Sequence, residues 1–278
     1  MKLLYLPAYS KPELVATSNI SDNRNHAFID AGFRIEAYTP TPCRGLTLEL
    51  RKKYKKKEYR IETYYGGYMI LHRFPLFSEG NNAILMAFRY GWCWFIHFYK
   101  GLKAKNVDCI YLASTPPIQG MLGALLKKIK KVPFVYNLQD IFPDSLVAAG
   151  MTHKGSILWK IGRVIENFTY RNADKIIVIS EDFKRNIMAK GVPEEKIVVI
   201  YNWVDENAVV PVAKADNPLY EEFGISRDKF HVVYAGNLGN AQNIDVIIDT
   251  AARLRSREDL ELVIFGSGGS ETEIKNRI

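Results

Sequence analysis

Alternating strand-like and helical segments predict an α/β protein built on parallel strands, and three observations carry that expectation. Short strand-like runs recur at Leu3–Leu6, Arg34–Tyr38, Cys109–Ala113, Phe134–Leu138, Lys175–Ile179 and Ile197–Ile200. Helical patterns lie between them, near Asn19–Ala31, Pro117–Lys130, Gly155–Arg171 and Glu181–Lys190. Glycines and capping residues sit at the joints, where a left-handed residue ends a helix or a hydroxyl opens one.

Taken in order, Gly32, Gly150 and Gly191 follow helix ends. Pro117 suits a helix start, and the hydroxyls of Ser114 and Thr115 just before it read as caps. Ser180 caps the next helix, with Glu181 and Asp182 favourably placed in its first turn. Gly66-Gly67, flanked by tyrosines, reads as a hairpin inserted into the parallel pattern. Residues 206–217 (ENAVVPVAKADN) read as a crossing linker. A second block follows: strand His231–Ala235, helix Gln242–Ser256, strand Leu260–Phe265 and a helical start at Glu271. Two parallel strands hide their faces poorly, so this second domain is expected to be incomplete within the chain. The expected division is 1–205 and 206–278.

The 278 residues are 47% hydrophobic and 24% charged, which excludes disorder, collagen and coiled coil as the main state. Three widely spaced cysteines without a CxxC argue for a reducing compartment and against a structural metal. Leu3–Leu6 is too short for a signal core and is soon broken by Pro7, which fits a cytoplasmic protein.

The net charge of +8 is uneven. Residues 51–60 hold seven cations and one acid, and residues 100–131 hold seven lysines against Asp108 alone. Each cluster is either a solvated surface or an attractor of phosphates. Residues 83–99 (AILMAFRYGWCWFIHFY) are apolar or aromatic at fourteen of seventeen positions. They read either as a core helix or as a helix lying in a membrane interface, with Lys100, Lys103 and Lys105 following. The basic clusters favour an anionic membrane surface touched through 83–105 and 51–60. No nucleic-acid motif accompanies the charge, so nucleic acid is not an expected partner.

Chemistry-bearing residues gather after strands. Ala235-Gly236-Asn237-Leu238-Gly239-Asn240 and Phe265-Gly266-Ser267-Gly268-Gly269 each precede a helix. Glycine there admits a ligand to the backbone, and the helix start offers N–H groups to a phosphate. Neither turn is GxGxxG, which argues against a dinucleotide oxidoreductase. In the first block, Gln139, Asp140 and Asp144 follow a strand. A carboxylate at such a rim either accepts a proton or holds a sugar hydroxyl, or it simply caps a helix.

The segments YLASTPPIQG, VYNLQDIFPDS, ADKIIVIS, KGVPEEKIVVIYNWVD and VVYAGNLGNAQNI resemble a WbuB-like member of glycosyltransferase family 4, in the family's order. The resemblance implies a GT-B fold: two Rossmann-like domains with parallel sheets, one for the acceptor and one for a nucleotide-sugar. It implies transfer of a sugar, usually with retention, from a UDP-linked donor to a lipid-linked saccharide during cell-surface polysaccharide synthesis. The setting is the inner face of the cell membrane, with no metal and no separate cofactor. Asp140 and Gln139 match the catalytic position of the acceptor domain; many relatives carry His where Gln139 stands. Gly236, Asn237, Gly239, Asn240, Gln242 and Asn243 match the turn beneath the donor diphosphate, and Gly266 and Gly268 match a turn near its base. Asn240, Gln242 and Asn243 replace the cations common there, so the helix start would carry the charge compensation. The competing expectation is a truncated, non-catalytic membrane-surface binding module derived from such an enzyme, which keeps the acceptor domain and the lipid-surface helix but has lost transfer.

Overall fold

The computed structural model describes residues 1–13, 18–77, 83–207, 209–239 and 242–278. It divides into two compact units, one of Met1–Ser145 and Lys154–Val204, the other of Leu146–His153 and Asp205–Ile278.

The elements up to residue 205 are β1 (Lys2–Tyr5), α1 (Ser18–Asp30), β2 (Arg34–Pro40), α2 (Leu48–Tyr54), β3 (Ile61–Tyr64), β4 (Met69–Phe74), α3 (Ala83–Lys103), β5 (Cys109–Ala113), α4 (Gln119–Lys130), β6 (Phe134–Leu138), α5 (Asp144–Ala148), α6 (Ile157–Asn172), β7 (Lys175–Val178), α7 (Glu181–Ala189) and β8 (Ile197–Val199). The strands form one sheet in the order β3-β4-β2-β1-β5-β6-β7-β8. Every neighbouring pair is parallel except β3 with β4. The chain builds outward from β1 to β2 and β4, then returns to place β5 on the other side. The carboxyl ends of β1 and β5 are therefore the switch point where such sheets open a crevice.

Period-two alternation sorts the strands between two cores. On one face Leu4, Leu6, Ile110, Leu112, Phe134 and Leu138 pack with Leu122 and Leu126 of α4. On the other, Leu3, Tyr5, Ile35, Leu71 and Tyr111 pack with Phe28 and Ile29 of α1. Each fully buried Leu or Phe side chain stabilises the fold by roughly 1.5–3 kcal/mol. At Gly123 of α4 an added Cβ would strike the Phe134 ring, so glycine is what lets the helix approach the sheet.

Several expectations change. The strand after Gly66-Gly67 is no insertion: β4 pairs in parallel with β2, and only β3 runs against it. The basic stretch 51–60, left without an element by the sequence, is largely helical. It comprises α2, whose start Thr47 caps by accepting from the Leu50 amide, and a 3-10 turn at Lys57–Arg60. The aromatic helix α3 has a buried side, as a core helix requires, and an exposed side. Arg89, Cys93 and His97 are buried, while Leu85, Phe88, Trp92, Phe95 and Tyr99 are exposed. Trp94 turns inward, its indole N–H donating to the Ile118 carbonyl at 3.1 Å. Among the described residues no helix is long and apolar enough to cross a membrane.

The second unit holds α8 (Leu219–Glu222), β9 (Phe230–Asn237), α9 (Ile244–Arg253), β10 (Leu260–Ser267) and α10 (Glu271–Arg277). β9 and β10 pair in parallel from Phe230 with Leu260 to Asn237 with Ser267. Leu238, Ile244, Ile248 and Ile274 form its small core. Val233 points away from that core and is 56% exposed.

Candidate active site

At the carboxyl end of β6 the chain leaves the sheet as Gln139-Asp140, and Ser114, just past β5, organises this exit. Its hydroxyl oxygen accepts from the Gln139 amide at 3.0 Å and the Asp140 amide at 3.1 Å. Its own amide donates to the Asn137 carbonyl at 2.9 Å. Ser114 is thus no helix cap, contrary to the sequence expectation. It clamps the backbone that carries the two candidate catalytic residues.

Gln139 is held from both sides. Its amide nitrogen donates to Asn137 Oδ1 at 3.0 Å, and its Oε1 accepts from Asn202 Nδ2 at 3.0 Å. Asn137 Nδ2 in turn donates to the Tyr111 hydroxyl at 2.7 Å. This ladder runs across the ends of β8, β6 and β5 and meets Arg24 of α1, whose guanidinium lies over the Tyr5 and Tyr111 rings at 4.8 and 5.0 Å. Arg24, Tyr111, Asn137, Gln139, Asn202 and Trp203 line one groove. An amide side chain tied at both ends is a poor proton carrier but a well-fixed hydrogen-bonding surface.

Asp140 stands beside this ladder on the exposed rim. Partial burial raises its carboxyl above the usual carboxylate range, against the pull of hydrogen bonds from the Ser145 side chain and the Ile141 amide. Asp144 is different. Burial is outweighed there by Lys190, whose ammonium lies 2.8 Å away and holds the carboxyl below its ordinary value. Lys190 also reaches the buried Glu166 at 2.8 Å, so Asp144 belongs to a structural ion cluster. A second hollow sits at the end of β1 among Tyr5, Lys11, Asp22, Arg24 and Tyr65. Its charges are balanced, Lys11 pairing with Asp22 at 2.7 Å.

In the second unit, Gly236 and Gly266 face each other in register across β9 and β10. A Cβ at Gly266 would collide with the Gly236 carbonyl, and one at Gly268 with the Leu238 backbone. Close strand packing alone therefore demands these two glycines. Asn237 Nδ2 donates to Gln242 Oε1 at 3.2 Å, bridging the turn. Asn243 adopts a left-handed φ of 48° immediately before α9, which opens at Ile244 rather than Gln242. Asn240 lies outside the described residues. The hollow at the start of α9 is lined by Gly239, Asn243, Ser270, Asp245 and Glu273 among others. Arg277 pairs with Asp245 there and with Asp249 at 2.7 Å.

Sequence reasoning missed Ser114 as a clamp, and also Arg24, Tyr111, Asn137 and Asn202. Asn137 did leave a signal, a polar residue inside an apolar strand. Asn202 opened the NWVD segment. Arg24 carried no signal, because only the register of α1 over β1 and β5 brings it to the rim. Among the described residues no group of three or more His, Cys, Asp or Glu could hold a metal ion.

A parallel sheet with the β1/β5 switch point, helices on both faces and a second parallel β-α-β unit define the GT-B class of glycosyltransferase folds. Solved structures share the architecture. Anabaena HepE in complex with UDP and glucose superposes with a TM-score of 0.64 at 18% identity, covering 100% of this chain and 64% of that one. Sucrose-phosphate synthase of Thermosynechococcus elongatus gives 0.65 at 11% identity, covering 95% and 61%. The chain belongs to glycosyltransferase family 4, whose sequence model matches residues 26–208. Among curated proteins it is 28% identical over 173 residues to the probable glycosyltransferase WbjE of Pseudomonas aeruginosa, covering 62% of this chain and 43% of that protein. It is 28% identical over 154 residues to the putative colanic acid biosynthesis glycosyl transferase WcaI of Escherichia coli K12, covering 54% and 38%. The chain thus spans about two-fifths of the curated relatives it matches.

Proposed function

We propose that this chain serves transfer of a sugar from a nucleotide-sugar, UDP-linked, to a lipid-linked saccharide in cell-surface polysaccharide synthesis. Within its family we assign it to the WbuB-like members. The supporting observation is the rim at the end of β6, where Ser114 fixes the backbone of Asp140 and the Asn137–Gln139–Asn202 ladder fixes its neighbour. The acceptor hydroxyl oxygen bonds to the anomeric carbon as the bond from that carbon to the diphosphate oxygen breaks. The hydroxyl proton ends on the departing diphosphate. Asp140 accepts a hydrogen bond from the attacking hydroxyl and orients it, and the Gln139 ladder presents amide groups to the acceptor sugar. In the second unit, the backbone of Gly236, Asn237 and Gly239 and the α9 start with Gln242 and Asn243 receive the diphosphate, with Gly266 and Gly268 near the base. Transfer proceeds with retention, and neither metal nor separate cofactor takes part.

Charge and aromatics support a cellular setting at the membrane. The exposed side of α3 and the cations of 83–105 and 51–60 bring the enzyme to an anionic membrane at its inner face, where a lipid-linked acceptor resides.

Transfer of radiolabelled sugar to membrane-extracted glycolipid tests the catalytic reading. Asp140→Asn is expected to lower turnover by about 100-fold or more while thermal unfolding is unchanged. The acid limb of the rate profile is expected above the ordinary aspartate range, because burial raises that carboxyl. Unchanged turnover in the variant removes Asp140 from the mechanism. Nucleotide-sugar binding is read by calorimetry on this chain and on a longer form of the protein: binding only by the longer form supports an incomplete donor domain, and binding by neither overturns the transferase reading itself.

A further inference from the structure

The membrane contact need not be confined to α3. Helix α4 packs against both α3 and α6, so the three form one layer on the same side of the sheet. In α6, Gly162, Glu166 and Thr169 are buried, which fixes the inward side. On the opposite side, at helical spacing, stand Ile157, Ile161 and Val164, which are 79%, 53% and 69% exposed. Ile129 of α4, 56% exposed, adds a further apolar residue to the layer.

Charge indicates what such a surface meets. The sequences of α3, α4 and α6 together contain a single acid, Glu166. That acid is buried and bound by Arg163 and Lys190. The layer otherwise carries cations, Lys100, Lys103, Lys128, Lys130, Lys160 and Arg171, while Lys127 is paired with Asp174 just past α6 at 2.7 Å. A water-facing layer carries both signs; a face that is apolar and mainly cationic, with the one carboxylate of its helices withdrawn, matches an anionic lipid surface. The 51–60 cluster lies elsewhere, beside edge strand β3 at the carboxyl end of β4.

We propose that Ile157, Ile161 and Val164 of α6, with Ile129 of α4, form a second lipid-contact element, so that the first unit rests on an anionic bilayer by its whole helix layer. This rests on the membrane reading given above. Cosedimentation of the 278-residue chain with vesicles of phosphatidylcholine containing roughly 30% phosphatidylglycerol tests it. Ile161→Glu/Val164→Glu is expected to weaken binding about 10-fold or more with circular dichroism unchanged. Should glutamate disturb the fold, Ile161→Ser/Val164→Ser is expected to weaken binding in the same direction. If the α6 variants bind like wild type while Trp92→Ala/Phe95→Ala loses binding, α3 acts alone and the proposal is overturned. If wild type does not bind, the parent membrane reading falls with it. If instead sedimentation velocity shows a lipid-free dimer that the α6 variants dissociate, and vesicles are ignored, the face belongs to a second copy and the proposal is likewise overturned.

Discussion

The two parallel sheets of this protein are held by different means. In the first unit the central strands β5 and β6 are almost wholly buried, with helices on both sides. In the second, every residue of β9 is exposed or half-exposed, and its core is four aliphatic residues, Leu238 just past β9 and Ile244, Ile248 and Ile274 of α9 and α10. A parallel ladder needs cover on both faces, so the first unit draws its stability from the strands themselves. The second concentrates its tight packing at the glycine turns, where the two backbones nearly touch.

Truncation tests that contrast most forcefully. Phe134→Ala empties a fully buried site between β6 and α4 and is expected to destabilise the first unit by about 3–5 kcal/mol, read by urea unfolding followed in circular dichroism. Less severe, and confined to the second unit, is Gly268→Ala. Its Cβ meets the Leu238 backbone, which has no flexible end to move aside, and a loss of about 1–3 kcal/mol is expected in hydrogen exchange of β9 and β10. An unaffected second unit would show that the strands separate there without cost.

The first unit holds a buried group with a pH dependence of its own. His97 is wholly buried between the Tyr38 carbonyl, 3.0 Å from Nε2, and the Gln119 amide, and burial lowers its pKa from 6.5 to about 3. Its folded value lies below its unfolded one, so the unfolded chain takes up the proton first. Stability attributable to it is intact above pH 6.5 and falls toward pH 3, by about 1.4 kcal/mol per pH unit inside that window. His97→Gln is expected to flatten this slope in thermal melts taken from pH 7 to pH 4. The smallest effect is reserved for Val233→Ala on the open side of β9, expected within about 0.5 kcal/mol of wild type. A loss of several kcal/mol there would show that this face is covered in solution.

The same contrast governs what was legible in the sequence. The strands of both units were legible because each is a short apolar run between turn residues, and Ser180 was recognisable as a cap because its partner, the Phe183 amide, is three residues away. The place of β4 was not, since pairing with β2 depends on which edge stays free after β1 and β2 have joined. Asp140 stood out as a carboxylate after a strand. Its clamp, Ser114, lies 26 residues earlier and meets it only because β5 and β6 are neighbours. The glycines of the second unit were visible as glycines, but whether they admit a ligand or merely let two strands pass required the register of β9 on β10.

Local chemistry written along the chain thus determined the α/β class, the alternation of elements, the two glycine turns and the basic, aromatic character of the first half. Those properties arise from residues within a helical turn or a strand of one another. Tertiary structure alone decided that Arg89 and His97 turn inward while Trp92 and Phe95 turn out, that Asp144 serves an ion cluster whereas Asp140 stays on the rim, and that α6 adds its own apolar face beside α3. Each of those outcomes depends on which distant segment packs alongside, and burial, unlike periodicity, is a property of neighbours the sequence does not name.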